Sequence, residues 1–374
     1  MSKIHTFFVV SSPGLESWTE KELRPLISRP QTIRRLAGGV EFSGSMEDCW
    51  RTNVWLRTAT RILRRMGSFY SAGFPELTRK ASRLDWARFI TRGQSITLHV
   101  TAKKSKLYHT DAISERLHIA IGEVLGHIPQ IKDDADSQQI FARMNRDLCE
   151  ISLDTSGMPL YQRGYRLAAA KAPIRENLAA AILMASAWDR ISPLLDPFCG
   201  SGTFAIESAL MAQNLAPGRN RKFAFMNWPD FNSSQCKKSV KDDEGQTRTN
   251  PHILASDRDS GAIKTAMENA ERAGVSGSIH FTKQAISHLN PHSDTGWIVT
   301  NPPFGKRVTS GKDLRNLYAR FGHILRERFQ GWHVTLLSHN RHLLKATRIQ
   351  FDESLFIDHG GLKTTVARGQ VPGH

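Results

Sequence analysis

The sequence contains few cysteines, no long apolar run and fewer acidic than basic residues. Its four cysteines are scattered through 374 residues without a CxxC pair or a histidine cluster, which argues against a disulfide framework or a metal site and favours a reducing compartment. No apolar run reaches the ~18 residues that a membrane span requires, and the N-terminal apolar patch is too short for a secretion signal. We therefore expect a cytoplasmic protein without a metal.

The excess of basic residues is large. Lysine and arginine number 51 against 35 acidic residues, a formal net charge of +16, and such an excess favours a polyanionic partner, first of all nucleic acid. Residues 51–92 contain ten basic residues and only two acidic ones. Any single arginine there is best explained as part of a solvated face, but the whole run predicts an RNA-facing surface. The predicted RNA contacts are Arg57, Arg61, Arg64, Arg65, Lys103 and Lys104.

The first part of the chain shows two α+β patterns. A strand, a helix, two strands and a long helix over residues 46–66 predict a ferredoxin-like module at 1–65. A strand at 95–100, a helix at 111–124 and a closing hairpin at 139–153 predict a second α+β module at 66–158. The first of these patterns is not that of a doubly wound nucleotide-binding domain.

Residues 159–374 alternate strands with helices, which predicts an α/β fold with a mostly parallel, doubly wound sheet. The first strand ends at Asp196, and a turn with Gly200 and Gly202 leads into a helix. The glycines let a ligand approach closely, and the helix N-terminus offers free N–H groups. Because an acid at the strand end would repel a pyrophosphate, the turn suits a cationic ligand such as S-adenosylmethionine.

A second acid, Asp257, ends the next predicted strand, where a carboxylate can accept hydrogen bonds from ribose hydroxyls. The stretch separating it from Asp196 is far longer than the ~20 residues of a dinucleotide fingerprint, and no GxGxxG has the required spacing. These observations argue against a nicotinamide dehydrogenase. The intervening residues 214–252 are polar and predict an excursion with little regular structure, mobile near 233–250.

The motif TNPPFG at 300–305 is the most specific signal. Its prolines fix the backbone, so that the Asn301 side chain and the Pro302 carbonyl can accept hydrogen bonds from an exocyclic amine while Phe304 stacks on its ring. An aryl amine is a poor nucleophile, and two acceptors holding its hydrogens would favour attack on a methyl group without a strong base. The motif could also be no more than a rigid loop. That interpretation is the weaker one, because the motif follows a strand just as Asp196 and Asp257 end theirs.

DPFCGSGT at 196–203, the acid-ended second strand and NPPFG together resemble class I S-adenosylmethionine-dependent methyltransferases that modify amines. The segments FFVVSSPGLESWTEKEL, LYQRGYRLAAAKAPIRENLAAAIL and RKFAFMNWPDF resemble THUMP-domain RNA methyltransferases, in particular the bacterial guanine-N2 enzymes of the RlmL type, which modify 23S rRNA, and their shorter relatives. The resemblance covers nearly the whole chain. It implies a ferredoxin-like domain at 1–65, a THUMP RNA-binding domain at 66–158 and a Rossmann-like methyltransferase domain at 159–374.

The resemblance also implies an activity and its residues. The activity is methylation of guanine N2 in structured RNA, with 23S rRNA favoured. The implied cofactor-binding residues are Asp196, Pro197, Cys199, Gly200, Gly202, Thr203, Asp257, Arg258, Ala285, Ile286 and Asn301, and the residues for the target amine are Asn301, Pro302, Pro303 and Phe304. The chain departs from the family at KQAIS (283–287), where an acid often binds the adenine amine. Backbone groups near Ala285 and Ile286, or the Gln284 side chain, would serve instead.

Three alternatives stay open on sequence alone. A THUMP-like domain is equally compatible with a guanine-N2 methyltransferase that acts on tRNA. An N-P-P-aromatic loop also serves DNA bases and protein glutamine, although a sequence-reading DNA domain should show a recognition helix. The third alternative is a non-catalytic RNA-binding or ribosome assembly factor, against which the retained strand-end residues argue and for which Ala285 argues mildly.

Overall fold

The computed structural model describes residues 3–134, 136–166, 174–240, 248–303, 311–359 and 362–373. The chain forms two compact units. The N-terminal unit comprises residues 1–11, 20–160 and 221–241, and the C-terminal unit comprises residues 12–19, 161–220 and 242–374. Within the described ranges, no helix is long and apolar enough to cross a membrane.

The helices and strands alternate along most of the chain. In chain order they are β1 (His5–Ser11), α1 (Glu16–Leu23), β2 (Arg34–Leu36), β3 (Gly39–Gly44), α2 (Met46–Trp55), β4 (Ala59–Tyr70), α3 (Phe74–Ala81), β5 (Ile96–Lys103), α4 (Thr110–Leu125), β6 (Gln138–Asn145), β7 (Leu148–Asp154), α5 (Glu176–Ala185), β8 (Leu194–Asp196), α6 (Thr203–Ala212), α7 (Ser233–Ser239), β9 (Ile253–Asp257), α8 (Ser260–Ala273), β10 (Ile279–Lys283), β11 (Trp297–Thr300), α9 (Gly311–Arg328), β12 (His333–Ser338), α10 (Arg341–Ala346), β13 (Asp352–His359) and β14 (Leu362–Gln370).

The N-terminal unit contains one seven-stranded sheet with the order β2-β3-β1-β4-β7-β6-β5, in which only β5 and β6 pair in parallel. Its first part is a βαββαβ unit with the strand order β2-β3-β1-β4, which is a ferredoxin-like arrangement. Alternate residues of β1 are buried, and among them Phe7 stacks on Phe42 of β3 with 5.2 Å separating the ring centres. A capping box formed by Ser45 and Asp48 begins α2.

Strand β4 corrects the predicted helix over residues 46–66. The helix ends at Trp55, and residues 59–70 form a strand that pairs with β1 on one side and with β7 on the other. Over a few residues, the apolar spacing in this stretch is compatible with the period of a helix and with that of a strand. Hydrogen bonding to β1 and β7 stabilises the strand. Most of the arginines predicted to lie on a helix face therefore lie on a central strand.

This change alters four of the predicted RNA contacts. Arg57 and Arg64 are only 7% and 8% exposed, so a direct contact with RNA is no longer expected for them. Arg61 pairs with the buried Asp154, and Arg65 lies 3.3 Å from a carboxylate oxygen of Glu41. A central strand buries side chains that a surface helix would present to solvent, and here the burial is balanced by ion pairs and ring contacts.

The C-terminal unit contains a second seven-stranded sheet with the order β10-β9-β8-β11-β12-β14-β13. Strands β8 to β12 are parallel, as predicted, and β11 and β12 have the predicted bounds. The edge hairpin of β13 and β14, which pairs antiparallel with β12, was not predicted. The two larger apolar clusters among the described residues include α5, α6 and α8 in one and α9 in the other. This is a Rossmann-like fold.

The excursion at 214–252 is more regular than its polar composition predicts. Residues 233–239 form α7, which Asn232 caps, and residues 221–241 belong to the N-terminal unit. The indole N–H of Trp228 donates to the Gln138 side chain at 2.7 Å, and Phe223 stacks on Phe225. Aromatic residues spaced along a polar segment anchor it. Residues 241–247 lie outside the described ranges.

Candidate active site

The predicted site residues meet at the carboxyl ends of three neighbouring strands. Strand β8 pairs in parallel with β9 on one side and with β11 on the other. Asp196, Asp257 and Asn301 therefore lie along one edge of the sheet, at the point where the strand order reverses. Open α/β sheets bind their ligands at this edge.

The turn after β8 is held by backbone contacts on two sides. The N–H of Cys199 donates to the Ser256 carbonyl of β9 at 3.0 Å. Gly202 has a φ of +83°, and a Cβ there would lie 3.0 Å from the side chain of Ala266 on α8. Gly202 is thus required both for the left-handed conformation and for the close approach of α8. The turn delivers Thr203 as the first residue of α6.

Asp196 is a buried carboxylate. It is 1% exposed, and its Oδ1 accepts hydrogen bonds from the Thr300 hydroxyl at 2.6 Å and from the Phe198 N–H at 3.3 Å. The pKa of Asp196 is raised to about 7, chiefly by burial and also by the nearby Asp257, while the two hydrogen bonds act to lower it. A cation beside this carboxyl would favour its ionised form, so the side chain fits the ammonium group of a bound cofactor.

Asp257 supports the glycine turn directly. Its Oδ2 accepts from the Gly200 N–H at 3.1 Å, and its Oδ1 accepts from the Asp259 N–H at 3.0 Å. A carboxylate has about four lone-pair sites, so each oxygen keeps the capacity to accept a second hydrogen bond. The predicted role toward a ribose is compatible with this geometry.

The Asn301 side chain carries a buried hydrogen-bond acceptor. Its Oδ1 is buried and makes no hydrogen bond with any residue in the described ranges. A buried acceptor left unpaired costs about 1–3 kcal/mol, and such an atom in a native fold requires an explanation. Pro302 is buried and Pro303 half-buried, while Phe304 lies outside the described residues.

The remaining predicted residues differ in exposure. Arg258 and Ala285 are exposed, Pro197 is buried, and Ile286 packs against the core. Burial raises the pKa of the Cys199 thiol well above its usual range, so Cys199 is a neutral packing group. The backbone N–H of Gln284 donates to the Asp257 carbonyl at 2.9 Å, and its side-chain amide donates to the His288 carbonyl. The loop after β10 therefore lies beside Asp257.

Two polar contacts of the site were missed in the sequence. Thr300 lies inside the recognised motif, but only the fold brings its hydroxyl to Asp196. Asn269, fully buried on α8, donates to the Ser201 carbonyl at 3.0 Å and accepts from Arg272 at 2.6 Å. An asparagine among the buried alanines of α8 is the signal that could have revealed it.

We expect Asn269→Ala to weaken S-adenosylhomocysteine binding roughly 3- to 10-fold, since one net buried hydrogen bond to the glycine turn is lost. Isothermal titration calorimetry measures the change. The matched control is Met267→Ala, an exposed position of the same helix, which should bind like the wild type. Equal affinity in the Asn269 variant would show that the turn keeps its conformation without this contact.

The fold and the strand-end residues define a class I methyltransferase. Residues 163–366 match the family model described as RMKL-like, methyltransferase domain, and residues 6–63 match the RlmL ferredoxin-like domain. The chain belongs to this RMKL-like methyltransferase family and begins with a ferredoxin-like domain.

Two curated relatives are similar over nearly the whole chain. A proposed RNA methyltransferase of Synechocystis sp., slr0064, is 31% identical over 373 residues, which are 98% of this chain and 96% of that protein. The ribosomal RNA large subunit methyltransferase K/L of Methylococcus capsulatus is 34% identical over 354 residues, which are 91% of this chain and 48% of that protein. The chain spans about half the length of the K/L enzymes that it matches.

Two crystal structures share the fold. A protein of Listeria monocytogenes described as a predicted N6-adenine-specific DNA methylase is 27% identical, with a TM-score of 0.88, 99% of this chain covered and 97% of that one. SMU.472, a proposed methyltransferase in complex with S-adenosylhomocysteine, is 28% identical, with a TM-score of 0.85 and complete coverage of both chains. Family and complex together confirm S-adenosylmethionine as the cofactor.

Proposed function

We propose that this protein methylates the exocyclic N2 of a guanine in structured RNA, most favourably in 23S rRNA. The observation that carries the proposal is the buried Oδ1 of Asn301, which lies at the same sheet edge as Asp196 and has no hydrogen-bond partner among the described residues. An exocyclic amine is a donor that suits this acceptor. The net charge of +16 supports RNA as the bearer of the amine, as do the names of the Synechocystis and K/L relatives.

The cofactor supplies an electrophilic methyl group on a sulfonium. In our proposal Asp196 binds its ammonium group, Asp257 its ribose, and backbone groups near Ala285 and Ile286 its adenine. The other proposed contacts are Pro197, Cys199, Gly200, Gly202, Thr203, Arg258 and Asn301. The pKa of the Asp196 carboxyl is raised to about 7. A cation fixed beside this carboxylate would interact with it strongly, because burial removes the competing water.

Asn301 and the carbonyl of Pro302 hold the two hydrogens of the target amine. With both hydrogens held, the nitrogen lone pair is turned out of the ring plane toward the methyl group, and the proton released after transfer passes to water. Pro303 keeps the loop rigid, and Phe304 is proposed to stack on the guanine. The catalytic contribution is positioning and polar stabilisation, which require no strong base.

We propose that residues 66–158 form a THUMP RNA-binding domain between the ferredoxin-like domain at 1–65 and the methyltransferase domain at 159–374. Lys103 and Lys104, which are exposed at the end of β5, remain the proposed phosphate contacts. Arg61 and Arg65 pair with carboxylates, so their contribution to RNA binding is a smaller one.

The deciding experiment is transfer of labelled methyl groups to purified 23S rRNA, 16S rRNA and tRNA that lack the modification, followed by digestion to nucleosides. We expect N2-methylguanosine in 23S rRNA. Label in tRNA would select the tRNA enzyme, and label in DNA or in protein, each supplied in a parallel assay, would replace RNA as the substrate. Cofactor binding without label in any polymer would favour a non-catalytic assembly factor.

A further inference from the structure

The second half of the N-terminal sheet has one buried and one accessible face. Strands β4, β7, β6 and β5 lie side by side there, and the residues of β6 alternate between buried and more accessible side chains. Ile140, Ala142 and Met144 are buried, whereas Arg143 is exposed and Asn145 is half-buried. Because successive side chains of a strand point to opposite faces of the sheet, Arg143 and Asn145 belong to the accessible face, which we call the outer face.

Strand pairing assembles two rows of residues on the outer face, since residues directly opposite each other on paired strands share a face. The first row contains Tyr70, Leu148, Asn145 and Lys103. The second row contains Ser68, Glu150, Arg143 and Thr101. Tyr70 is 67% exposed, and Lys103 and Arg143 are exposed on neighbouring strands. An accessible aromatic ring and two cations therefore lie on one face of the sheet.

The hairpin turn that joins β6 to β7 adds a further exposed cation. Its two central residues, Arg146 and Asp147, have φ values of +52° and +61°, a conformation for which such turns favour Asn-Gly. The Arg146 N–H donates to the Lys103 carbonyl at 3.2 Å, and the Asp147 carbonyl accepts from the Ser71 N–H at 2.8 Å. The Oδ1 of Asp147 also accepts from the Lys106 N–H at 2.7 Å. These bonds fix Arg146 beside the ends of β4 and β5.

The outer face and its turns carry an excess of positive charge. Five basic and two acidic residues occur in the segments that form this surface, 68–70, 101–106 and 143–150. The basic side chains are all exposed: Lys103, Lys104, Lys106, Arg143 and Arg146. Both acids, Asp147 and Glu150, are half-buried, and a carboxylate oxygen of Glu150 lies 3.8 Å from the Arg65 guanidinium. The surface therefore attracts a polyanion.

The exposed ring of Tyr70 indicates which kind of polyanion fits. An accessible aromatic ring can stack on a nucleotide base, but only on a base that is not already stacked between neighbours in a duplex. An A-form duplex offers its backbone and a shallow groove to a protein, not the faces of its bases. Cations beside the ring suit the phosphates of an extended strand. The combination favours a single strand over a duplex.

We propose that the outer face binds a single-stranded segment of RNA, with a base stacked on Tyr70 and phosphates at Lys103, Arg143 and Arg146. The proposal takes RNA as the partner from the proposed function and deepens it, because it assigns an unpaired segment to the N-terminal unit. Lys103 and Lys104 were predicted from the sequence, and strand pairing adds Tyr70, Arg143 and Arg146 to them.

The test is fluorescence anisotropy of the full-length protein with a labelled, unstructured RNA, either alone or annealed to its complement. We expect Tyr70→Ala to weaken binding of the single strand about tenfold and binding of the duplex less than about twofold. Tyr70→Phe keeps the ring and should bind like the wild type. Arg143→Ala should reduce the slope of log K against log salt for the single strand by about 0.7.

Two matched controls should leave single-strand affinity unchanged. Ile131→Ala removes another exposed apolar side chain, one that lies beside Ile96 at the opposite end of the sheet from Lys103. Arg79→Ala removes an exposed arginine of α3.

The outcomes separate this proposal from the proposed function. Unchanged single-strand affinity in Tyr70→Ala, or an equal loss for single strand and duplex, would overturn the outer face as a single-strand site. Self-association in sedimentation that Tyr70→Ala abolishes would give the face to a second copy and overturn it as well. Methyl transfer to RNA by the same preparations is an independent readout. Tyr70-sensitive binding without methyl transfer would refute the proposed activity alone, and methyl transfer with Tyr70-insensitive binding would refute the outer face alone.

Discussion

Replacing Asn301 by alanine is expected to lower the rate of methyl transfer at least 10²- to 10³-fold while leaving S-adenosylhomocysteine affinity within about twofold. The loss is that of a preorganised polar group aimed at the reacting amine. The change in cofactor affinity is small because Asp196 and Asp257 stay in place, and Asn301 is one of many proposed cofactor contacts. Single-turnover kinetics with saturating RNA and cofactor measure the rate, and calorimetry measures the affinity.

The Oδ1 of Asn301 has no hydrogen-bond partner in the part of the chain that the structure describes, which adds a second expectation. Since alanine removes a buried acceptor without a partner there, the melting temperature should stay equal or rise. Asn301→Asp, which keeps an acceptor oxygen, should recover part of the activity, and the exposed Asn290→Ala should behave like the wild type. Full turnover in Asn301→Ala would remove this side chain from the mechanism.

Replacing Asp196 by asparagine is expected to weaken S-adenosylhomocysteine binding about 10²-fold or more. Truncating one member of a buried, charged pair costs about 2–5 kcal/mol, and 1.4 kcal/mol is a factor of ten. The exposed Asp294→Asn is the matched control. Unchanged affinity in the Asp196 variant would mean that the cofactor ammonium is bound elsewhere.

The raised pKa of Asp196, about 7, predicts the direction of the pH dependence. The cation binds the ionised carboxylate, so wild-type affinity should rise from about pH 6 to 8, and the asparagine variant should lack this rise. Without cofactor, the folded chain holds a proton that the unfolded chain, with the ordinary value of 3.8, has lost. The Asp196 carboxyl should therefore contribute a fall in stability as pH rises from about 4 to 7, and the asparagine variant should lack this contribution. Thermal melts across this range, with and without S-adenosylhomocysteine, measure both effects.

The strand ends of the active site could be predicted because their signals are local. Apolar runs that stop at Asp196, at Asp257 and before Asn301 define strands of a parallel sheet, and parallel strands share one carboxyl edge. The bounds of β11 and β12 followed from apolar runs flanked by turn residues. The glycine turn and the proline loop carry their own backbone restrictions, so they required no knowledge of distant residues.

Contacts between residues far apart in sequence were decided by the tertiary structure alone. Over a few residues, the periods of a helix and a strand cannot be told apart, and β4 became a strand only because β1 and β7 pair with it. Its arginines were then buried or paired, which no charge count reveals. The bonds from Thr300 to Asp196 and from Asn269 to Ser201 likewise depend on distances that arise when the segments pack. The sequence by itself determined which side chains lie at the strand ends. Packing of distant segments determined which other side chains, such as Asn269, make hydrogen bonds to the site.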